Sequence, residues 1–231
     1  MKFPLSARLT AEFMGTAFLV AAVVGSGVMG EKLSAGNTAI ALLANTIATG
    51  AALFALISTF GSISGAHFNP AVTLADAMEG GISWTESALY ALVQIAGGIA
   101  GAVTAHLMFG LPAVSISLHP RHGVALVLSE FVATFGLLSV IWGCSRMRSS
   151  LVPFAVAAYI VAAYWFTSST SFANPAVTIA RSLSDTFAGI QPADVPLFIV
   201  AQLTGAAAAT LLFRWLIPNL PAYAKDVIAH T

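Results

Sequence analysis

Charge is what this sequence has least of. Its 231 residues include nine Lys and Arg and nine Asp and Glu, 8% in all, with a formal net charge of zero. Soluble domains carry roughly 25% charged residues. The deficit excludes an ordinary water-solvated surface, and the balance leaves no basic or acidic excess to recruit nucleic acid or an acidic partner. Cysteine occurs once, as Cys144, which excludes an intrachain disulfide and a thiolate metal cage. An inert thiol near the end of an apolar run is the expectation there. What the chain has instead is apolar mass, 58% of its residues. A bilayer is the solvent that tolerates this composition.

A membrane span needs about 20 mostly apolar residues. Six stretches qualify, near Leu9–Met29, Thr38–Thr59, Glu86–Phe109, Val124–Gly143, Leu151–Ser168 and Val195–Ile217. Loop signals separate them: Gly30-Glu31-Lys32, Leu111-Pro112, His119-Pro120-Arg121-His122, Arg146-Met147-Arg148 and Pro218 to Pro221. The first run lacks a small-residue cleavage site and reads as a retained span rather than a signal peptide. Two further apolar stretches, after Phe68 and after Phe172, are too short to span. Stretches of about 10–14 residues suit re-entrant segments.

The halves echo one another. Ala11-Glu12-Phe13 and Thr16 answer Ser129-Glu130-Phe131 and Thr134. Asn69-Pro70-Ala71-Val72-Thr73 answers Asn174-Pro175-Ala176-Val177-Thr178. Gln94 with Gly97 answers Gln202 with Gly205. Markers recurring in one order indicate an internal duplication. The expected organisation is a single transmembrane domain over 1–231. Its first repeat is 9–110 with a half-helix at 69–79, its second 123–217 with a half-helix at 174–184. Three spans per repeat turn the second repeat over, an inverted design that places a site at the midplane. The fold class expected is all-α, six transmembrane helices and two re-entrant half-helices. Lys2, Arg8, Arg146, Arg148, Arg214 and Lys225 fall on one side, Lys32, Arg121 and Arg181 on the other, which favours cytoplasmic termini.

Asn is a favoured helix N-cap and Pro a favoured first helical residue. Each Asn-Pro-Ala therefore starts a helix, and here it starts inside the membrane, with free N–H groups and a positive dipole end at depth. Such backbone is tolerated only against protein or a watery cavity. Each Asn oxygen can cap its helix while the NH2 donors stay free. Asn69, Pro70, Ala71, Asn174, Pro175 and Ala176 are thus expected at a pore midplane suited to a neutral solute and hostile to cations.

This pattern resembles the aquaporins, the major intrinsic protein family. The resemblance spans roughly Leu9 to Ile217 and includes Ser64-Gly65-Ala66-His67-Phe68-Asn69-Pro70-Ala71-Val72-Thr73. It implies a six-helix bundle with two half-helices, usually a homotetramer in the cell's inner membrane, with one pore per subunit for water and small neutral solutes. Glu12 and Glu130, with Gln94 and Gln202, are then expected to brace the re-entrant loops. Without the resemblance, intramembrane carboxylates also admit a proton relay.

One position departs from the family. Its water and glycerol channels usually place Arg directly after the second Asn-Pro-Ala, where this chain has Val177. Aligning on the motifs places the other filter positions at Thr49, Ala162 and Ser171, none a large aromatic. A filter of Thr49, Ala162, Ser171 and Val177 reads as wide and mildly polar, for solutes larger than water. Arg181 lies one turn further along, and its half-helix is expected to lead it away to a headgroup or vestibule. Val177 within Ala-Asn-Pro-Ala-Val-Thr-Ile-Ala-Arg is similar to the branch associated with arsenic resistance. That implies glycerol-like polyols and neutral metalloids, arsenite and methylated arsenicals, as solutes. A water channel and a coupled transporter are the alternatives.

His67 is either a gate at the cytoplasmic mouth or a loop brace. His106, His119 and His122 lack metal-ligand spacing and read as solvated loop residues, so no metal and no cofactor is expected. No nucleophile–base pair lies at depth, which sets an enzyme aside. Gly97, Gly98, Gly101 and Gly205 permit close helix approach. Trp84, Trp142, Trp165 and Trp215 read as interface anchors.

Overall fold

The computed structural model describes residues 3–147 and 149–217. The expectations placed on Lys2, Arg148, Pro218 to Pro221 and Lys225, and on the side chain of Arg146, lie outside the described residues. Six helices are long and apolar enough to cross a membrane. They are α1 (Leu5–Leu33), α2 (Thr38–Ser64), α4 (Trp84–Met108), α5 (Val124–Met147), α6 (Val152–Phe166, which spans together with the 3-10 turn Ser149–Leu151 before it) and α8 (Val195–Leu216). Two short helices complete the set, α3 (Pro70–Met78) and α7 (Pro175–Arg181). There is no strand among the described residues. The second half-helix is shorter than the span 174–184 expected for it. Ser182 caps α7, and the chain turns there through Ser184 N–H to Arg181 O at 3.3 Å.

The short helices begin where their chemistry directs. Asn69 Oδ1 accepts from Ala71 N at 2.9 Å. Asn174 Oδ1 accepts from Ala176 N at 2.9 Å and Val177 N at 3.2 Å. Pro70 and Pro175 follow as first helical residues. Before each Asn the chain runs through left-handed backbone, at Gly65, Ala66 and Phe68 and again at Thr170, Ser171 and Ala173. Non-glycine residues rarely hold such angles unless their surroundings fix them.

Within each half, one inter-helix contact repeats. Helix α1 packs on α4 and α5 on α8. A Cβ on Gly97 would lie 2.4 Å from the Phe13 carbonyl, and one on Gly205 2.5 Å from that of Phe131. Both glycines are needed because the backbone of the facing helix occupies the space. Trp84, Trp165 and Trp215 are exposed, while Trp142 is buried, its Nε1 donating to Thr210 Oγ1 at 3.1 Å. Trp142 is therefore a core residue and not an anchor. It lies on α5 where α8 covers it.

Candidate pore

The two half-helices meet N-terminus to N-terminus. Asn69 Nδ2 donates to Ala173 O at 2.7 Å, and Asn174 Nδ2 donates to Phe68 O at 2.8 Å. Each amide thus spends one N–H on the opposite loop. This corrects the expectation that both donors stay free, because the facing loop carbonyls needed partners at depth. One donor per Asn remains for the cavity beside it. That cavity, of about 110 Å³, is lined by Asn69 and Asn174. Pro70, Ala71, Pro175 and Ala176 are absent from its wall. They set the helix starts from behind it, Ala71 and Ala176 being wholly buried.

Two carboxylates hold the loops. Glu12 Oε1 accepts from Ser64 Oγ at 2.6 Å and His67 N at 3.0 Å. Its Oε2 accepts from Phe68 N at 2.7 Å and Gln94 Nε2 at 2.8 Å. Glu130 repeats the pattern, accepting from Phe172 N and Ala173 N, both at 2.9 Å, and from Gln202 Nε2 at 2.6 Å. Gln94 also donates to Thr73 Oγ1 at 3.0 Å, and Gln202 to Thr178 Oγ1 at 2.9 Å. Each network ties two spans, one loop and one half-helix at a single carboxylate. All four acidic and amide residues are fully buried. Buried carboxylates persist where such donors surround them.

Toward one end the cavity is lined by Thr49, Ser171 and Val177. Ala162 is not there. It lies on the exposed face of α6, while Val152, Val156, Ile160 and Tyr164 line the cavity at every fourth residue. Two residues turn a helix by about 200°, so Ala162 faces away from both Ile160 and Tyr164. A large aromatic, Tyr164, stands where none was expected, its hydroxyl donating to Thr49 Oγ1 at 3.3 Å.

Arg181 also lines this end, against the expectation that its half-helix carries it away. It is buried, and its guanidinium carbon lies 3.3 Å from the ring centroid of Phe172. Nε donates to Ala188 O, and this is the only hydrogen bond of its side chain among the described residues. Helical side chains lean toward the helix N-terminus, so a long Arg one turn on reaches back into the cavity. Arg121, on the loop between α4 and α5, lies over the same ring at 4.8 Å. Its Nη1 donates to Ser169 O at 3.1 Å. Burial holds the Arg121 guanidinium below its ordinary range, the charge of Glu130 opposing this only in part.

At the other end, His67 and Asp76 line the cavity. His67 Nδ1 lies 3.0 Å from Thr73 Oγ1. His106 is buried, its ring nitrogens 2.8 Å from Pro112 O and from Ser184 Oγ, and so is not a solvated loop residue. It pins two loops together. His119 and His122 lie apart from it, near Asp185 and Asp194. No group of three metal-ligating side chains occurs among the described residues.

The sequence matches the family described as major intrinsic protein over residues 2–167 and 145–230. The chain belongs to that family. As a major intrinsic protein it is a multi-pass membrane protein, a passive channel for water and small solutes rather than an enzyme. It is 53% identical over 230 residues to the aquaglyceroporin AqpS of Rhizobium meliloti (strain 1021), covering 100% of this chain and 97% of that relative. It is 33% identical over 214 residues to the aquaporin NIP1-4 of Oryza sativa subsp. japonica, covering 90% of this chain and 76% of the relative. The X-ray structure of the aquaglyceroporin from Plasmodium falciparum shares the fold. The TM-score is 0.76 at 18% identity, over 95% of this chain and 100% of that one.

Motif spacing missed Tyr164 and Asp76 on the cavity wall of this family member, and placed Arg181 away from the cavity it lines. The stripe Val152, Val156, Ile160, Tyr164 was a usable signal for Tyr164. For Arg181, the signal was a cation seven residues past Asn174, one turn beyond Val177 on the same short helix.

Proposed function

We propose that this channel conducts neutral solutes larger than water, glycerol-like polyols and neutral metalloid hydroxides such as As(OH)3 with its methylated forms, as well as water. The observation that carries the reading is Val177 on the cavity wall with the Arg181 guanidinium held over the Phe172 ring beside it. Val177 is short and apolar, so the neck keeps its width. Arg181 keeps a positive charge beside that neck, and a charge in a narrow, poorly solvated passage repels cations. Neutral solutes pass both conditions. Tyr164 adds an aromatic to the same ring, held to the wall through Thr49. The name aquaglyceroporin on a relative covering the whole chain agrees with this reading.

The filter of this reading is Thr49, Tyr164, Ser171 and Val177, with Arg181 as its charge. Glu12, Glu130, Gln94 and Gln202 support the loops. The repeats are 9–110 and 123–217. The assembly is a homotetramer in the cell's inner membrane, both termini cytoplasmic, so the Arg181 end opens outward and the His67 end inward.

The test is light-scattering swelling of proteoliposomes in water, glycerol and arsenite gradients, with elemental detection of arsenic. The wild type is expected to pass all three, and Val177→Arg to retain water while losing the larger solutes. Arsenic flux equal to that of empty vesicles would remove the metalloids, and equal glycerol flux in Val177→Arg would remove the account of the neck.

A further inference from the structure

The two ends of the cavity are related position by position, and they differ in sign. Asp76 stands seven residues after Asn69, as Arg181 stands seven after Asn174. His67 and Phe172 each stand two before their Asn. All four line the same cavity. At one end a cation rests on an aromatic ring. At the other an imidazole faces a carboxyl across a gap, His67 Nε2 to Asp76 Oδ2 at 3.9 Å.

Asp76 is only 3% exposed, and its Oδ2 has no hydrogen-bond partner among the described residues. Among the described residues no side chain or backbone N–H donates to either carboxyl oxygen. The nearby charges are otherwise engaged, Glu79 by Arg214 at 2.6 Å and Arg8 by Glu86. Space is reserved for the carboxyl, since a Cβ on Gly81 would lie 2.2 Å from Asp76 Oδ1. A buried carboxyl without donors calls for an external one. A gap of this length is too long for a direct bond, but one hydroxyl oxygen set to the side of the line joining the two atoms can lie within about 2.8 Å of both.

We infer that Asp76 and His67 form a docking station for the hydroxyl groups of the transported solute at the inner end of the pore. It rests on the reading of the channel as one for polyol-like neutral solutes. A hydroxyl in the gap donates to Asp76 Oδ2 and accepts from His67 when Nε2 carries the ring proton. When Nδ1 carries it toward Thr73, both facing atoms are acceptors, and a vicinal diol satisfies the two with its two O–H groups. In either form the station selects donors. It replaces hydration that a polyol sheds on entering the narrow pore, which water, being smaller, has less need of.

The experiment compares glycerol and water flux in proteoliposomes of wild type, Asp76→Asn and Asp76→Leu over a range of glycerol concentrations. Wild-type glycerol flux is expected to saturate. Asp76→Leu should lower low-concentration glycerol flux roughly three- to tenfold, the worth of one hydrogen bond, and move half-saturation upward with water flux retained. Asp76→Asn keeps an acceptor oxygen and should fall between, and retained water flux reports a folded pore in every variant. Equal glycerol flux in all three proteins, or glycerol and water falling in parallel, overturns the station. Absence of glycerol flux in the wild type overturns the channel reading and the station with it.

Discussion

Tyr164 reaches across the bundle to Thr49, hydroxyl to Oγ1 at 3.3 Å, and so joins α6 of the second half to α2 of the first at the neck of the cavity. The bond holds the ring against the wall. The cavity there is bounded by one fixed aromatic, one short aliphatic and the loop residue Ser171, whose buried Oγ has no hydrogen-bond partner among the described residues and lines the cavity.

Removing that ring should open the neck. Tyr164→Ala is expected to raise glycerol flux and admit longer polyols, while Ala162→Leu, on the exposed face, should leave every flux at the wild-type value. A solute series of increasing size in swelling assays checks both. An effect of Ala162→Leu like that of a filter residue would restore the alignment-based filter.

Arg181 should matter for charge rather than width. Arg181→Gln is expected to leave glycerol flux near wild type and to create a proton leak, read with a pH-sensitive dye in vesicles under a voltage. Arg181→Lys keeps the charge and should stay tight.

The carboxylate networks should dominate stability. Glu12→Ala leaves four donors without their acceptor and Glu130→Ala three. Each orphaned buried donor costs about 1–3 kcal/mol. Both variants should show a sharply lower melting temperature in detergent, with Glu12→Ala at least as damaged.

Close helix approach gives a graded set. Gly97→Ala and Gly205→Ala each push a methyl onto a carbonyl and should cost about 1–3 kcal/mol, typical of overpacking. Gly61 has nothing within 4 Å of a Cβ, and Gly61→Ala should be neutral or slightly stabilising. Thermal unfolding of the three variants side by side decides it.

The half-helices were legible because Asn-Pro carries its own local instruction, a cap followed by a residue that needs no donor. The paired Glu and Gln were legible because a charge in an apolar run must find partners. The filter was less so. Aligning on the motifs fixes a position along α6 but not the helical face, and Tyr164, two residues on from Ala162, is the one that lines the cavity. Arg181 was placed by the direction of its helix axis, whereas its position is set by the backward lean of a long side chain and by Phe172. The second N–H of each Asn was invisible because its acceptor is a carbonyl in the other half.

That last pairing also sets an order of assembly. The chain emerges from its N-terminus, and the acceptor for Asn69, the carbonyl of Ala173, is 104 residues later. Until it arrives, the first half-helix has a capped start but an amide N–H and the Phe68 carbonyl without partners. The cavity is lined by residues of both halves, so its wall is complete only when the second half is packed against the first.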